Sequence, residues 1–203
     1  MASLHPAEST ASLTARHSHR PSASAGASQR SDSPPEAGIE GRGVSDAAFR
    51  QVMGVHAAGV VVVTAPGGPR PVGVTATSFS SVSADPPLVS FYLNAESSSW
   101  PGVREAHYFA VNILDDSQRE VAIRFATKGI DRFAAPTRWS RGPADLPLLE
   151  GALGHVLCRR YDLLAIGDHW LIVGRVVDTA VRDDGQPLLY QRGRYGSFTP
   201  TSP

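Results

Sequence analysis

Between Gly73 and Pro87 the chain reads Gly-Val-Thr-Ala-Thr-Ser-Phe-Ser-Ser-Val-Ser-Ala-Asp-Pro-Pro. Six hydroxyl side chains, Thr75, Thr77, Ser78, Ser80, Ser81 and Ser83, follow an apolar run and stop at two prolines. A strand built only for packing carries Val, Ile and Phe at alternate positions. This one reads instead as an edge strand and turn, or as the rim of a site. Strand alternation puts Thr75, Thr77 and Phe79 on one face and Ala76, Ser78 and Ser80 on the other. Hydroxyls and backbone amides at a strand end suit a polar, planar ligand.

The rest of the folded part is short, punctuated and mostly extended. Ser45 caps a helix in which Phe49, Val52, Met53 and His56 recur at the spacing of one face, and Gly59 is expected to end it. Val60 to Thr64 is a β-branched run too short for a helix, hence a buried strand, and Pro66-Gly67-Gly68-Pro69 is a hairpin turn. The hydroxyl-rich segment makes the returning strand, Pro87 to Leu93 a third, and Tyr108 to Leu114 another. Ser117 and Glu120 form a capping box opening a helix through Val121, Arg124 and Phe125. Ala152 to Leu164 and Trp170 to Val181 read as a long hairpin around Ile166-Gly167-Asp168-His169. Strands and long helices do not alternate regularly, which argues against a doubly wound parallel sheet. The spacing predicts a mostly β fold with short helices, an antiparallel barrel.

Composition narrows the function classes. Nineteen basic and nineteen acidic side chains cancel, so neither nucleic acid nor an anionic membrane is an expected partner. Cys158 is the only cysteine, which excludes an intrachain disulfide and fits a cytoplasmic location. No apolar run approaches the roughly 20 residues of a membrane helix. Residues 1–43 are rich in Ser, Ala, Gly and Pro, lack aromatic residues and lack the apolar core of a secretory signal. That segment is expected to be a disordered tail preceding one folded domain over 44–203. The chain has no Gly-x-Gly-x-x-Gly after a strand, no phosphate loop, no His-Glu-x-x-His and no Gly-x-Ser-x-Gly. A redox cofactor, if used, sits on another scaffold.

Further segments have chemical content. Ser97, Ser98 and Ser99 run into a helix start with Pro101 in its first turn, a place that suits a phosphate or simply a cap. Arg124-Phe125-Ala126-Thr127-Lys128-Gly129-Ile130-Asp131-Arg132-Phe133 clusters cations that neutralise a phosphate or complement a helix end, with Lys128 the first choice and Arg124 the second. Gly167-Asp168-His169 places a histidine at a hairpin tip with a carboxylate to fix its tautomer. His56, His107 and His155 read as ordinary half-buried histidines. Pro187 to Tyr195 reads as a closing strand ending in Arg-Gly-Arg-Tyr.

In this order the motifs resemble the flavin reductase family, over roughly residues 46–198. The resemblance implies an FMN-binding split barrel. It implies that Thr75, Ala76, Thr77, Ser78, Phe79 and Ser80, with Val82 and Ser83 at the turn, contact the flavin, FMN or FAD. Ser97, Ser98 and Ser99 would meet its phosphate, helped by Lys128, Arg124 and Phe125. Gly167, Asp168 and His169 would form the nicotinamide site for NADH or NADPH, with His169 the catalytic-site residue donating a hydrogen bond to the nicotinamide amide or the flavin. Tyr195 would stack on or shield the ring. The implied reaction is hydride transfer from nicotinamide C4 to flavin N5, with reduced flavin passed to a separate oxygenase, and the implied assembly is a homodimer. Split barrels also occur as flavin oxidases and plain flavin or haem binders; a working Gly167-Asp168-His169 separates a reductase from these.

Overall fold

The structure, a computed structural model, describes residues 43–201, so the expected disordered tail lies outside it except for Gly43. The first helix, α1, spans Asp46–Gly54, and the Ser45 hydroxyl accepts the Ala48 N–H as its cap. It stops at Gly54, not at Gly59. The Val55 and His56 amides fold back onto Val52 and Met53, the Arg192 amide takes the Gly54 carbonyl, and Gly59 already belongs to strand β1 (Ala58–Gly59). None of the α1 residues is buried, so its apolar stripe faces outward.

Strand β2 (Val61–Ala65) is buried along its whole length. Its valines face two interiors. Val61 and Val63 join Phe91, Phe109 and Ile172 inside the barrel, while Val60, just before the strand, and Val62 meet Leu114, Phe125 and Leu188 outside it. A strand covered on both faces reads as a continuous apolar run, which is why no alternation shows. There follow β3 (Val72–Ala76), β4 (Ser80–Ala84), β5 (Pro87–Asn94), α2 (Trp100–Glu105) and β6 (Tyr108–Ile113). Helix α3 (Arg119–Ala126) leads to the small pair β7 (Trp139–Arg141) and β8 (Pro147–Leu149), and then to the long hairpin β9 (Gly154–Ile166) and β10 (His169–Val181). The described chain ends in β11 (Leu188–Gln191) and β12 (Arg194–Ser197).

The main sheet is antiparallel with strand order β3-β2-β6-β9-β10-β5-β4. Its two edge strands, β3 and β4, are consecutive in the chain and joined only by Thr77, Ser78 and Phe79. A flat sheet of seven strands is about 29 Å wide, but an extended link of that length reaches only about 14 Å. The sheet therefore rolls until its edges meet. The expected single hydroxyl-rich strand is thus two strands, one on each edge. The β4–β5 register pairs Ser80 with Ser90, and one step further Ser78 replaces the backbone ladder with its side chain. The Ser78 hydroxyl accepts the Tyr92 N–H at 2.9 Å and donates to the Tyr92 carbonyl at 3.3 Å. Past that point the two edges separate, and the barrel is split.

Two more local expectations shift. The capping box lies earlier, at Asp115 and Gln118, and opens a short 3₁₀ turn ahead of α3; Ser117 is a ligand of Asp115, not the cap. The closing strand is a hairpin, β11 and β12 around Arg192-Gly193 at φ 49° and 76°, the left-handed pair that a two-residue turn demands. It forms a separate three-stranded sheet with β1.

Candidate functional site

Where the edges part, a cleft of about 410 Å³ opens between the end of β3, the crossing, the end of β5 and the end of α3. Of the residues singled out from sequence, Thr75, Ala76, Thr77, Ser78, Ser97, Ser98, Phe125, Lys128 and His169 line it. Five separate segments of the chain thus converge on one place. Val74, Leu93 and Phe125 give it an apolar floor, and Thr77, Ser78, Asn94 and Ser98 a polar rim. Phe125 is fully buried and meets Phe133 edge-on at 5.1 Å.

The hydroxyls differ in how far they are committed. The Thr75 hydroxyl donates to the Ala122 carbonyl at 2.7 Å, tying β3 to α3. Ser99 is 2% exposed; its hydroxyl donates to the Gly73 carbonyl and accepts from Arg132 Nη1. It is a brace, and it does not line this cleft. Ser99 precedes α2 without a side-chain cap bond, and that helix has only six residues, so the phosphate expectation rests on side chains, not on a helix end. The Ser97 hydroxyl accepts the Ser99 N–H, and Ser98 is exposed at the cleft wall. Glu96 does not line the cleft; its amide is held by Asn94 Oδ1.

Among the cations, Lys128 lines the cleft as expected and Arg124 does not. The Arg124 guanidinium donates to the carbonyls of Asp131, Arg132, Ala134 and Ala135, gathering the loop after α3. Its donors are spent on this backbone, where Thr137 also donates to the Arg132 and Ala134 carbonyls. Arg132, which the sequence did not single out, takes the place: it lines the cleft and donates to the carbonyls of Gly73 and Thr127. Burial pulls its pKa below the ordinary guanidinium value. Spacing in Asp-Arg-Phe gave no sign of which arginine points inward.

Arg132 and Ser98 also wall a second lobe of about 550 Å³, bounded by Arg70–Gly73, Gly129–Ala134 and Trp139. The two lobes adjoin across these two side chains.

At the tip of the β9–β10 hairpin, Gly167 has φ 59°. His169 lines the cleft, with Nδ1 2.7 Å from Asp168 Oδ1. That hydrogen bond from His169 is the first cause holding the Asp168 carboxyl below its ordinary value. The Asp168 carbonyl accepts the Ala95 N–H, which fastens the tip to the loop after β5. Gly167 and Asp168 do not themselves line the cleft; they set the histidine.

The remaining expected residues lie elsewhere in the chain. Phe79 packs against the barrel core. Ser80, Val82 and Ser83 run along the β4 edge, with Val82 exposed at a register shift. Tyr195 packs on Tyr190 in the small sheet, 5.1 Å between ring centroids, and faces a different hollow with Arg192 and Arg194. The structure brings none of these to the seam cleft. His56 and His107 are exposed, and only His155 is half-buried, with Nε2 3.0 Å from the Leu149 carbonyl. Cys158 is buried, its thiol pushed up to about 12, and is not a nucleophile. Among the described residues no cluster of three potential metal ligands exists, and no helix is long and apolar enough to cross a membrane.

A rolled antiparallel sheet with an apolar-floored, hydroxyl-rimmed and cationic cleft at its seam defines a split-barrel protein of the flavin-binding kind. Comparison with known proteins reaches the same place: residues 53–199 match the flavin reductase like domain, and the chain belongs to that family. It is 38% identical over 162 residues to an NADH:FMN oxidoreductase of Rhodococcus qingshengii, covering 78% of this chain and 84% of that protein. Over 154 residues it is 39% identical to the reductase component of a 4-nitrophenol 4-monooxygenase/4-nitrocatechol 2-monooxygenase of Rhodococcus opacus, covering 76% and 82%. Among solved structures, the NADH:FAD oxidoreductase of Streptomyces globisporus, in complex with NAD and FAD fragments, superposes with a TM-score of 0.74 at 32% identity. That likeness covers 80% of this chain and all, 100%, of the other.

Proposed function

We propose that this protein is an NAD(P)H-dependent flavin reductase that reduces FMN or FAD and releases the reduced flavin to a separate oxygenase. The observation that carries this reading is the seam cleft itself: an apolar floor, a hydroxyl rim, two cations and one oriented histidine, from five chain segments. The donor set fits a flavin. Val74, above the buried Leu93 and Phe125, offers apolar surface, and Lys128 and Arg132 offer charge for a phosphate.

Bound flavin and pyridine nucleotide supply the redox chemistry, and the protein supplies position. The amides and hydroxyls of Ala76 to Ser78 orient the ring edge and meet negative charge there. Ser98 and Lys128 hold the phosphate. Asp168 holds His169 by Nδ1, which leaves Nε2 as the ring atom for a hydrogen bond to the nicotinamide carboxamide or the flavin. Stacking two rings at a fixed distance needs no nucleophile, and Cys158 is not used as one.

The reading extends to a homodimer working in the cytoplasm, where the nicotinamide donor is found. It is supported by Phe49, Val52 and Met53, which are 59%, 67% and 50% exposed on one face of α1. The decisive assay is anaerobic: purified protein with NADH or NADPH and excess FMN, FAD or riboflavin. Catalytic bleaching of the excess flavin is expected. Tight flavin binding without nucleotide oxidation would overturn the reductase reading.

A further inference from the structure

Trp100 and Trp170 belong to the same core cluster as Leu93, and neither lines the seam cleft. Trp100 opens α2 and is 8% exposed; Trp170 follows His169 on β10 and is half-buried. Their rings are stacked, with centroids 4.8 Å apart and planes at 19°. The other aromatic pairs among the described residues meet at 60° to 86°. Two broad faces in contact hold the segments that carry them at one separation and near one tilt.

Each indole is joined directly to residues of the cleft. On one side Ser97 and Ser98 line the cleft and lead into Trp100, whose amide donates to the Ser97 carbonyl at 2.9 Å. On the other side His169 lines the cleft and Trp170 is the next residue of β10, in register with Leu93 of the cleft floor. At its start, the loop after β5 is fastened to the hairpin tip by the Ala95 N–H, which donates to the Asp168 carbonyl. The stack fastens it again at its end. Ser97 and Ser98 lie between these two ties.

We infer that the Trp100–Trp170 stack is a positioning pair: it links the serines assigned to the flavin phosphate to His169, so that a phosphate seated at Ser98 improves the nicotinamide site. The inference rests on the reductase reading. A phosphate takes no part in hydride transfer, but binding of a remote group can be used to set the groups around the reacting centre. Here the phosphate orders the loop, and the stacked rings pass that order to the strand end that carries the histidine. Lys128 and Arg132 add to flavin affinity from the side of α3 and do not share this connection.

The test is anaerobic steady-state kinetics of the purified full chain at saturating flavin, comparing FMN with riboflavin, which lacks the phosphate. In wild type, kcat/KM for NADH should be about fivefold or more higher with FMN. Trp100→Leu removes one flat face and should bring that ratio below about twofold, and Trp100→Phe, which keeps a flat ring, should retain most of it. Trp170→Leu, at the half-buried member, should narrow the ratio in the same way and serves where Trp100→Leu does not fold. His169→Ala should abolish the FMN advantage by itself, and adding Trp100→Leu to it should not change the ratio further. Melting curves on each variant report folding. A merely structural loss lowers the FMN and riboflavin rates together and leaves their ratio intact. Equal kcat/KM with the two flavins in wild type, or a ratio that survives loss of the stack, overturns the inference alone. A wild type that bleaches neither flavin fails the reductase reading, and the inference with it.

Discussion

His169 and Gly73 show how single residues set this site. His169 reaches the cleft because Gly167 turns the hairpin and Asp168 holds the ring by Nδ1. On the proposed reading, replacing it would remove one polar contact to the nicotinamide and leave the floor undisturbed. His169→Ala is expected to lower kcat/KM for NADH about tenfold, the scale of one hydrogen bond, with flavin affinity within about twofold. Steady-state kinetics alongside a flavin titration separates the two, and an unchanged rate would remove His169 from the nicotinamide site. Gly73 acts from beneath. A Cβ there would lie 2.5 Å from Phe125 Cε1 and 3.2 Å from Phe133 Cζ, and the Gly73 carbonyl anchors both Ser99 and Arg132. Gly73→Ala should cost about 1–3 kcal/mol through overpacking and weaken flavin binding by displacing the anchor. A melting curve and titration check both; a variant as stable and as tight-binding as wild type would mean the aromatic floor yields freely. Residues of this kind were only partly legible. Hydroxyl-rich composition marks Thr77 and Ser78, but nothing local tells that Ser99 is a buried brace or that Arg132, and not Arg124, faces the cleft. Those assignments are made by carbonyls that need donors after the chain has folded.

At the scale of elements, the start of α3 shows how sequence offers more than one answer. Ser117 with Glu120 and Asp115 with Gln118 have the same capping-box spacing. The second prevails because distant groups support it: Arg182 pairs with Asp115 at 2.9 Å, and Gln118 donates to the Glu150 carbonyl. Asp115 is nearly buried, and its carboxyl lies below the ordinary 3.8, first because Ser117 donates to it and then, against the cost of burial, because of the Ser117 amide and Arg182. A carboxylate depressed in the folded state adds stability that is complete above its unfolded pKa and disappears as pH falls through the folded value. Wild type should therefore lose stability below about pH 4 more steeply than Asp115→Asn, which starts less stable at neutral pH. Melting temperatures from about pH 7 down to about pH 3 read the difference; parallel curves would show that Asp115 is not the acid-sensitive group. The strands were the most legible elements, because β-branched runs bounded by Gly and Pro need no distant information. Their breaks were not. Alternation continues through Thr77 to Phe79, yet the strand ends at Ala76 because the rolled sheet requires a crossing there.

At the scale of the whole molecule, the barrel solves one problem of exposed edges and leaves another. Rolling the sheet brings β3 and β4 to the seam, where the Ser78 hydroxyl ties the crossing between them to Tyr92 of β5 and the cleft occupies the gap. Nothing in the described chain covers α1, although its sequence carries the periodic stripe of a helix that packs. The stripe was legible and its partner was not, since periodicity records that a face is apolar and not what lies against it. Exposed apolar residues set among polar ones are disfavoured on an isolated surface, and a second copy of the chain is the cover consistent with the homodimer reading. Phe49→Asp with Val52→Asp places two charges on that face. They should leave the capped helix intact, since both positions are exposed, yet penalise burial of the face by several kcal/mol on desolvation grounds. Sedimentation should then give a dimer for wild type and a monomer for the double variant. Flavin titration on both tells whether the site needs the partner: equal affinity makes each cleft self-sufficient, and weakened affinity makes assembly part of the site. A double variant that still sediments as a dimer would place the interface elsewhere and leave α1 uncovered for a different occupant.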